Sequence, residues 1–355
     1  MEKIKIERSK NLKPKPQDES KLGFGKIFTD HMFVMNYSGG KGWFDPRIVP
    51  YAPVELDPAA SCLHYGQLIF EGLKAYRAKS GEVVMFRPEK NMERLNASNE
   101  RLCMPTIDVD FMVDAMKELV RIEKDWIPFA EGTSLYIRPF VIGTEPFLGV
   151  KPSDDYLMLV ILSPVGSYYA GGIQPVSIYV ENEYVRAVRG GVGYSKCAGN
   201  YAASMKSQIA AAEKGFAQVL WLDGIERKYI EEVGAMNIFF VLEDEIITPA
   251  LSGSILPGIT RASIIELLRS WNLPVKERPI SIDELARAYD EGKLKEAFGT
   301  GTAAVISPVG ELMWRDKKMV INNGGIGALS QRLYDEITGI QRLEREDKFG
   351  WVTRV

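Results

Sequence analysis

A chain of 355 residues is long for a single hydrophobic core and predicts about two domains. Its 46% apolar and 26% charged residues suit a soluble globular protein, and a net charge of −3 with acids and bases interspersed excludes the footprint of a nucleic-acid binder. Three scattered cysteines and two histidines exclude a disulfide framework, a CxxC pair and a His-rich zinc site, and predict a reducing, cytoplasmic setting.

Residues 1–21 mix Lys and Pro with Glu and Asp and lack a signal-peptide apolar run, so they are expected to form a flexible or loosely docked arm. IFTDHMFVMNY (27–37) is expected to be a strand and GQLIFEGLKAY (66–76) a strand or helix, followed by a strand VVMFR ending before Pro88. PEKNMERLNASNERLC (88–103) has helical composition. VDFMVDAMKELVRIEKDW (109–126) repeats Phe111, Met112, Ala115, Leu119 and Ile122 at helical spacing. SLYIRPFV and YLMLVILS are expected to be neighbouring strands, the latter far too short to span a membrane.

PVGSYYAGGIQP (164–175) breaks the pattern and marks the expected interdomain loop, with a smaller α/β domain over 1–163 and a larger one over 176–355. In the second half, a helix NYAASMKSQIAAAEKG closes at Gly215, and strands AQVLWL and MNIFFVL follow. ITRASIIELLRSW, SIDELARAYDEG and GALSQRLYDEITGIQ are the expected later helices, with Ser281 and Glu284 at capping-box spacing.

Several stretches can bear chemistry, each with a plainer alternative. Lys196 stands among small residues in VGYSKCAGNYAAS, either as one more solvated lysine or as an amine against which a flat group can lie. At LPGITR the amides of Ile259 and Thr260 begin a helix, an ordinary start or an anion cup. FGTGTAAVISPVG matches GxGxxA, but a strand-like segment with Pro308 follows where a dinucleotide site needs a helix; a bare turn or a second anion cup remains. In IEEVGAMNIFF, strand alternation lets only one of Glu231 and Glu232 face inward, the alternative being that both are solvated. Tyr136 and Arg138 share one face of SLYIRPF, to address a carboxylate or simply to face solvent. Together, a lysine amine, a carboxylate and anion cups are the equipment of a pyridoxal phosphate site.

The ordered blocks SCLHYGQLIFEGLKAYR, FRPEKNMERL, GTSLYIRPFVIGTEPFLGV, GGVGYSKCAGNYAAS, EEVGAMNIFF, SILPGITR and FGTGTAAVISPVG resemble those of the branched-chain amino acid aminotransferases, from about residue 22 onward. The resemblance implies an α/β (α+β) fold of type IV, two domains with pyridoxal 5'-phosphate in the cleft between them, and a homodimer. It implies Lys196 as the Schiff-base lysine, Glu232 as partner of the pyridine nitrogen and Tyr201 as partner of the ring oxygen. Arg94, Ile259, Thr260 and Thr302 match the phosphate contacts, and Arg186 an arginine near the cofactor. Phe24, Tyr65, Phe70, Tyr136, Arg138, Tyr168 and Ala303 match the substrate pocket. The implied reaction is ping-pong transamination between L-leucine, L-isoleucine or L-valine and 2-oxoglutarate, with small amino and 2-oxo acids as partners and neither nucleic acid nor membrane involved.

Two departures stand out. Ala304 and Ser307 occupy positions where some animal members carry a redox-active CxxC, so that thiol regulation is expected to be absent; Ala235 stands where those members have a threonine. Within the fold, D-amino acid aminotransferases and aminodeoxychorismate lyases are the alternative.

Overall fold

The computed structural model describes residues 2–167 and 173–355. It divides into two units: Met1–Tyr168 with Ser195–Ala198 and Gly339–Val355, and Tyr169–Tyr194 with Gly199–Thr338.

The first unit runs β1 (Lys5–Ile6), β2 (His31–Ser38), β3 (Gly42–Pro50), α1 (Ser61–Tyr65), β4 (Leu68–Phe70), β5 (Leu73–Arg77), β6 (Val83–Phe86), α2 (Pro88–Arg101), α3 (Val109–Ile122), β7 (Ser134–Gly143) and β8 (Asp155–Val165). The expected neighbours β7 and β8 pair antiparallel along their length, and β4 and β5 both pair with β7. Alternation of buried apolar residues drives this: Leu135, Ile137 and Val141 are buried from β7, Met158, Val160 and Leu162 from β8. Helix α3 buries Met112, Ala115 and Leu119 of the expected stripe, with Phe111 and Ile122 only half-buried and Val113, Met116 and Val120 buried beside them, and Asp108 accepts from the Phe111 amide to cap its start.

The second unit continues with β9 (Val176–Val180), α4 (Ala198–Glu213), β10 (Gln218–Leu222), β11 (Ile230–Val233), β12 (Asn237–Leu242), β13 (Ile246–Thr248), α5 (Ile259–Ser270), β14 (Val275–Glu277), α6 (Ile282–Asp290), β15 (Leu294–Gly301), β16 (Val305–Trp314), β17 (Lys317–Val320) and α7 (Ala328–Gln341). A final strand, β18 (Val352–Arg354), pairs with β6 in the first unit. The second sheet has the order β11-β10-β9-β16-β15-β12-β13-β14. Its core includes Ile178, Leu220, Ile238, Phe240, Leu285 and Leu312. Ser281 accepts from the Glu284 amide at 3.0 Å, the expected cap of α6, and Gly215 after α4 has φ +85.

Two findings differ from the sequence-based expectations. The stretch expected to be a flexible or loosely docked arm is tied down: β1 pairs parallel with β3, the Ser9 amide donates to His31 Nε2, and the Lys13 amide donates to Asp30 Oδ1. Lys196, expected on the C-terminal domain, lies in a segment that packs with the first unit, because the Phe70 amide donates to the Lys196 carbonyl and Ile69 bridges Cys197.

Candidate active site

In the first unit, local geometry gathers the chemistry-bearing residues around one amine. The Lys196 amide donates to Ser98 Oγ on α2, which holds the lysine backbone against that helix, and Lys196 Nζ lies 4.7 Å from the centre of the Phe70 ring. Burial pushes this amine down to about 8; the Arg94 cation adds to the effect, Glu71 and Tyr136 oppose it, and Arg138 reinforces it.

Alternation on β7 puts Tyr136 and Arg138 on the same face, and that face is buried at Tyr136 instead of solvated. Arg138 donates from Nη2 to the Tyr136 hydroxyl at 3.1 Å and lies 4.8 Å over Phe70, while its buried Nε has no hydrogen-bond partner among the described residues. Phe24 meets Tyr136 edge-on at 4.9 Å. Gly72 makes the room: a Cβ there would stand 1.9 Å from the Tyr136 hydroxyl.

Sequence reasoning missed Glu71, quoted in FEGLK but assigned no part. It is fully buried between β4 and β5, and receives Arg94 Nε at 2.7 Å and Nη2 at 2.9 Å, Asn91 Nδ2 at 2.8 Å and the Gly72 amide at 3.1 Å. Burial pushes this carboxyl up, but the Arg94 guanidinium, Lys196 and the Asn91 amide outweigh that and hold it below the ordinary range. A buried acid between short strands was the available signal, since such a group needs a cation.

The second unit carries a carboxylate and an anion-suited helix start. Glu231 and Glu232 are 5% and 3% exposed, correcting the expectation that only one faces inward: all four residues of β11 are buried, so both sides of the strand are covered. Each acid meets its own partners. Glu231 accepts from the Ser254 hydroxyl, and burial pushes its carboxyl up despite that bond and the nearby Arg186. Glu232 accepts from the Leu256 amide at 2.8 Å, and its Oε2 lies 2.9 Å from Arg186 Nε, a charge contact not aligned as a hydrogen bond. Arg186 is itself anchored by donation to the carbonyls of Gly193 and Ser254.

Nearby, Gly258 is the N-cap residue of α5, with no side-chain cap, so the first-turn amides at Ile259 and Thr260 lack intrahelical acceptors by geometry. The GxGxxA stretch is an antiparallel hairpin between β15 and β16, which rules out the dinucleotide context. The Thr300 hydroxyl is spent on the Val305 carbonyl at 2.9 Å, whereas Thr302 and Ala303 occupy the half-buried turn. Val305 holds φ +61, an unfavourable region for a β-branched residue, directly after this turn.

Tyr65, 41% exposed, donates to the Leu148 carbonyl; Tyr201 sits half-buried on α4; Tyr168 lies outside the described residues. Among the described residues no group of acids, histidines and cysteines could hold a metal ion, and no helix is long and apolar enough to cross a membrane.

Residues 68–312 match the family model for amino-transferase class IV. Branched-chain-amino-acid aminotransferase 2 of Bacillus subtilis is 63% identical over 352 residues, covering 99% of this chain and 97% of that protein. The crystal structure of the Escherichia coli branched-chain amino acid aminotransferase superposes with a TM-score of 0.76 at 26% identity, over 91% of this chain and 98% of that one. The branched-chain aminotransferase of the thermophilic archaeon Thermoproteus uzoniensis, solved with norvaline, superposes with a TM-score of 0.75 at 25% identity, over 91% of this chain and 99% of that one.

Proposed function

We propose, from the premise that this chain belongs to the class IV aminotransferases and within them to the branched-chain-amino-acid aminotransferases, that it moves amino groups between L-leucine, L-isoleucine or L-valine and 2-oxoglutarate with pyridoxal 5'-phosphate. The observation that carries this reading is the buried Lys196 amine, pushed down to about 8 and lying over Phe70. The donor set fits the cofactor: one amine that gives up its proton far more readily than an ordinary lysine, a buried acid with its own arginine, and a helix start suited to phosphate.

When bound, the cofactor supplies an aldehyde that condenses with amines and a ring that accepts the electrons released at the substrate α-carbon. Lys196 holds the cofactor and then, as free amine, takes the α-proton on Nζ and returns it. Glu232, beside Arg186, would hold the proton of the ring nitrogen, and Tyr201 would bind the ring oxygen. Arg94, the amides of Ile259 and Thr260, and Thr302 hold the phosphate. Phe24, Tyr65, Phe70, Tyr168 and Ala303 line the side-chain pocket, and Tyr136 with Arg138 binds the second carboxylate of glutamate. The buried Arg138 Nε, without a hydrogen-bond partner among the described residues, supports that last assignment, since a buried donor needs an acceptor.

The reading extends to a homodimer in the cytoplasm. The exposed apolar side chains of Leu63, Leu148 and Val150 support self-association, and three free cysteines support a reducing compartment. The test is borohydride reduction of the purified protein followed by peptide mapping, together with a substrate panel against 2-oxoglutarate. The expected result is a reduced adduct on Lys196 and turnover of the three branched-chain amino acids. An adduct elsewhere, or none, rejects the reading.

A further inference from the structure

We propose that Glu71 is a positioning residue of this site, one that aims the Arg94 guanidinium and keeps a negative charge beside Lys196; this rests on the assignment of Lys196 and Arg94 made above. The acid is wholly buried, and its two oxygens take up two Arg94 donors, the Asn91 amide and the Gly72 backbone amide. An arginine held in this two-pronged way loses little freedom on meeting an anion, which is how a planar guanidinium is made selective for phosphate. Gly72, which binds the acid through its amide, is also the residue whose missing side chain admits the Tyr136 hydroxyl. Glu71 therefore connects the Arg94 end of the cluster with the Tyr136–Arg138 end.

Among the described residues, the groups acting on Lys196 include the cations of Arg94 from α2 and Arg138 from β7, the Tyr136 hydroxyl from β7, and Glu71 from the β4–β5 connection. Glu71 is the one carboxylate among them. Without it the amine loses a carboxylate that opposes the two arginines, and gives up its proton more readily.

The experiment compares trapping of pyridoxal 5'-phosphate and of phosphate-free pyridoxal by cyanoborohydride on the full cofactor-free chain, from about pH 6 to 10, with Lys196 labelling read by peptide mapping. In Glu71→Gln the pH midpoint of labelling is expected to fall by about one unit, and the preference for the phosphorylated aldehyde by about tenfold. In Glu71→Asp, which keeps the charge but not the reach, the midpoint is expected to stay and the preference to fall. A folded Glu71→Gln protein with the wild-type midpoint overturns the proposal. If Glu71→Gln does not fold, Glu71→Asp decides, and an unchanged preference overturns it. Labelling of another residue in the wild-type protein removes the underlying assignment of Lys196, and is seen before any variant is made.

Discussion

Lys196 shows how a site can oppose its own fold. In the unfolded chain its amine has the ordinary value of 10.5, and in the fold about 8, so between these values the unfolded chain binds more protons and stability rises with pH. Below about 8 both states are protonated and the cost of burying the cation is fully present, on the order of 3 kcal/mol. Lys196→Met in the cofactor-free protein is therefore expected to abolish adduct formation while raising the melting temperature at pH 7, with the gain shrinking from about pH 8 towards 10.5; melts across that range check it. Arg138 allows a sharper functional test. Its guanidinium faces Phe70 and Tyr136 with one donor unused among the described residues, so Arg138→Ala is expected to lower kcat/KM for glutamate about 10- to 100-fold while sparing leucine. Equal losses for both substrates would reject the carboxylate assignment.

At the scale of elements, the start of α5 depends on a glycine for reasons of space. Gly258 has φ −67, open to any residue, but a Cβ there would lie 1.9 Å from Asn237 Oδ1 and 3.2 Å from Arg261 Cβ. Asn237 donates to the Leu256 carbonyl at 2.9 Å, and Leu256 in turn donates to Glu232. Gly258→Ala is thus expected to cost about 1–3 kcal/mol and to weaken cofactor binding, as a thermal melt and a spectral titration with pyridoxal 5'-phosphate would reveal. The local elements themselves were largely legible: the buried Met112, Ala115 and Leu119 of α3 and the Ser281 cap of α6 follow from spacing alone. Glu231 escaped that logic, because alternation assumes one wet face and β11 has none.

For the whole molecule, the N-terminal arm contributes stability that its composition conceals. Removing residues 2–13 deletes the β1–β3 pairing and the donors to His31 and Asp30, two buried groups in a network with Glu123 and Trp126. The truncated protein is expected to melt a few degrees lower, at about 2–4 °C per kcal/mol lost, as calorimetry can measure. A Lys- and Pro-rich stretch reads as disordered when its partners lie elsewhere in the chain.

What the amino-acid sequence determined by itself was the family and the order of strands and helices, and it pointed to the lysine, acid and helix-start segments of the proposed site, since these are carried by contiguous motifs and local periodicity. What only the tertiary structure decided was which groups meet: that Lys196 packs with the first unit, that Glu71 rather than solvent faces Arg94, and that both acids of β11 are buried. Burial and pairing between residues distant in the chain set the charge state of each group, and a local pattern contains no information about that environment.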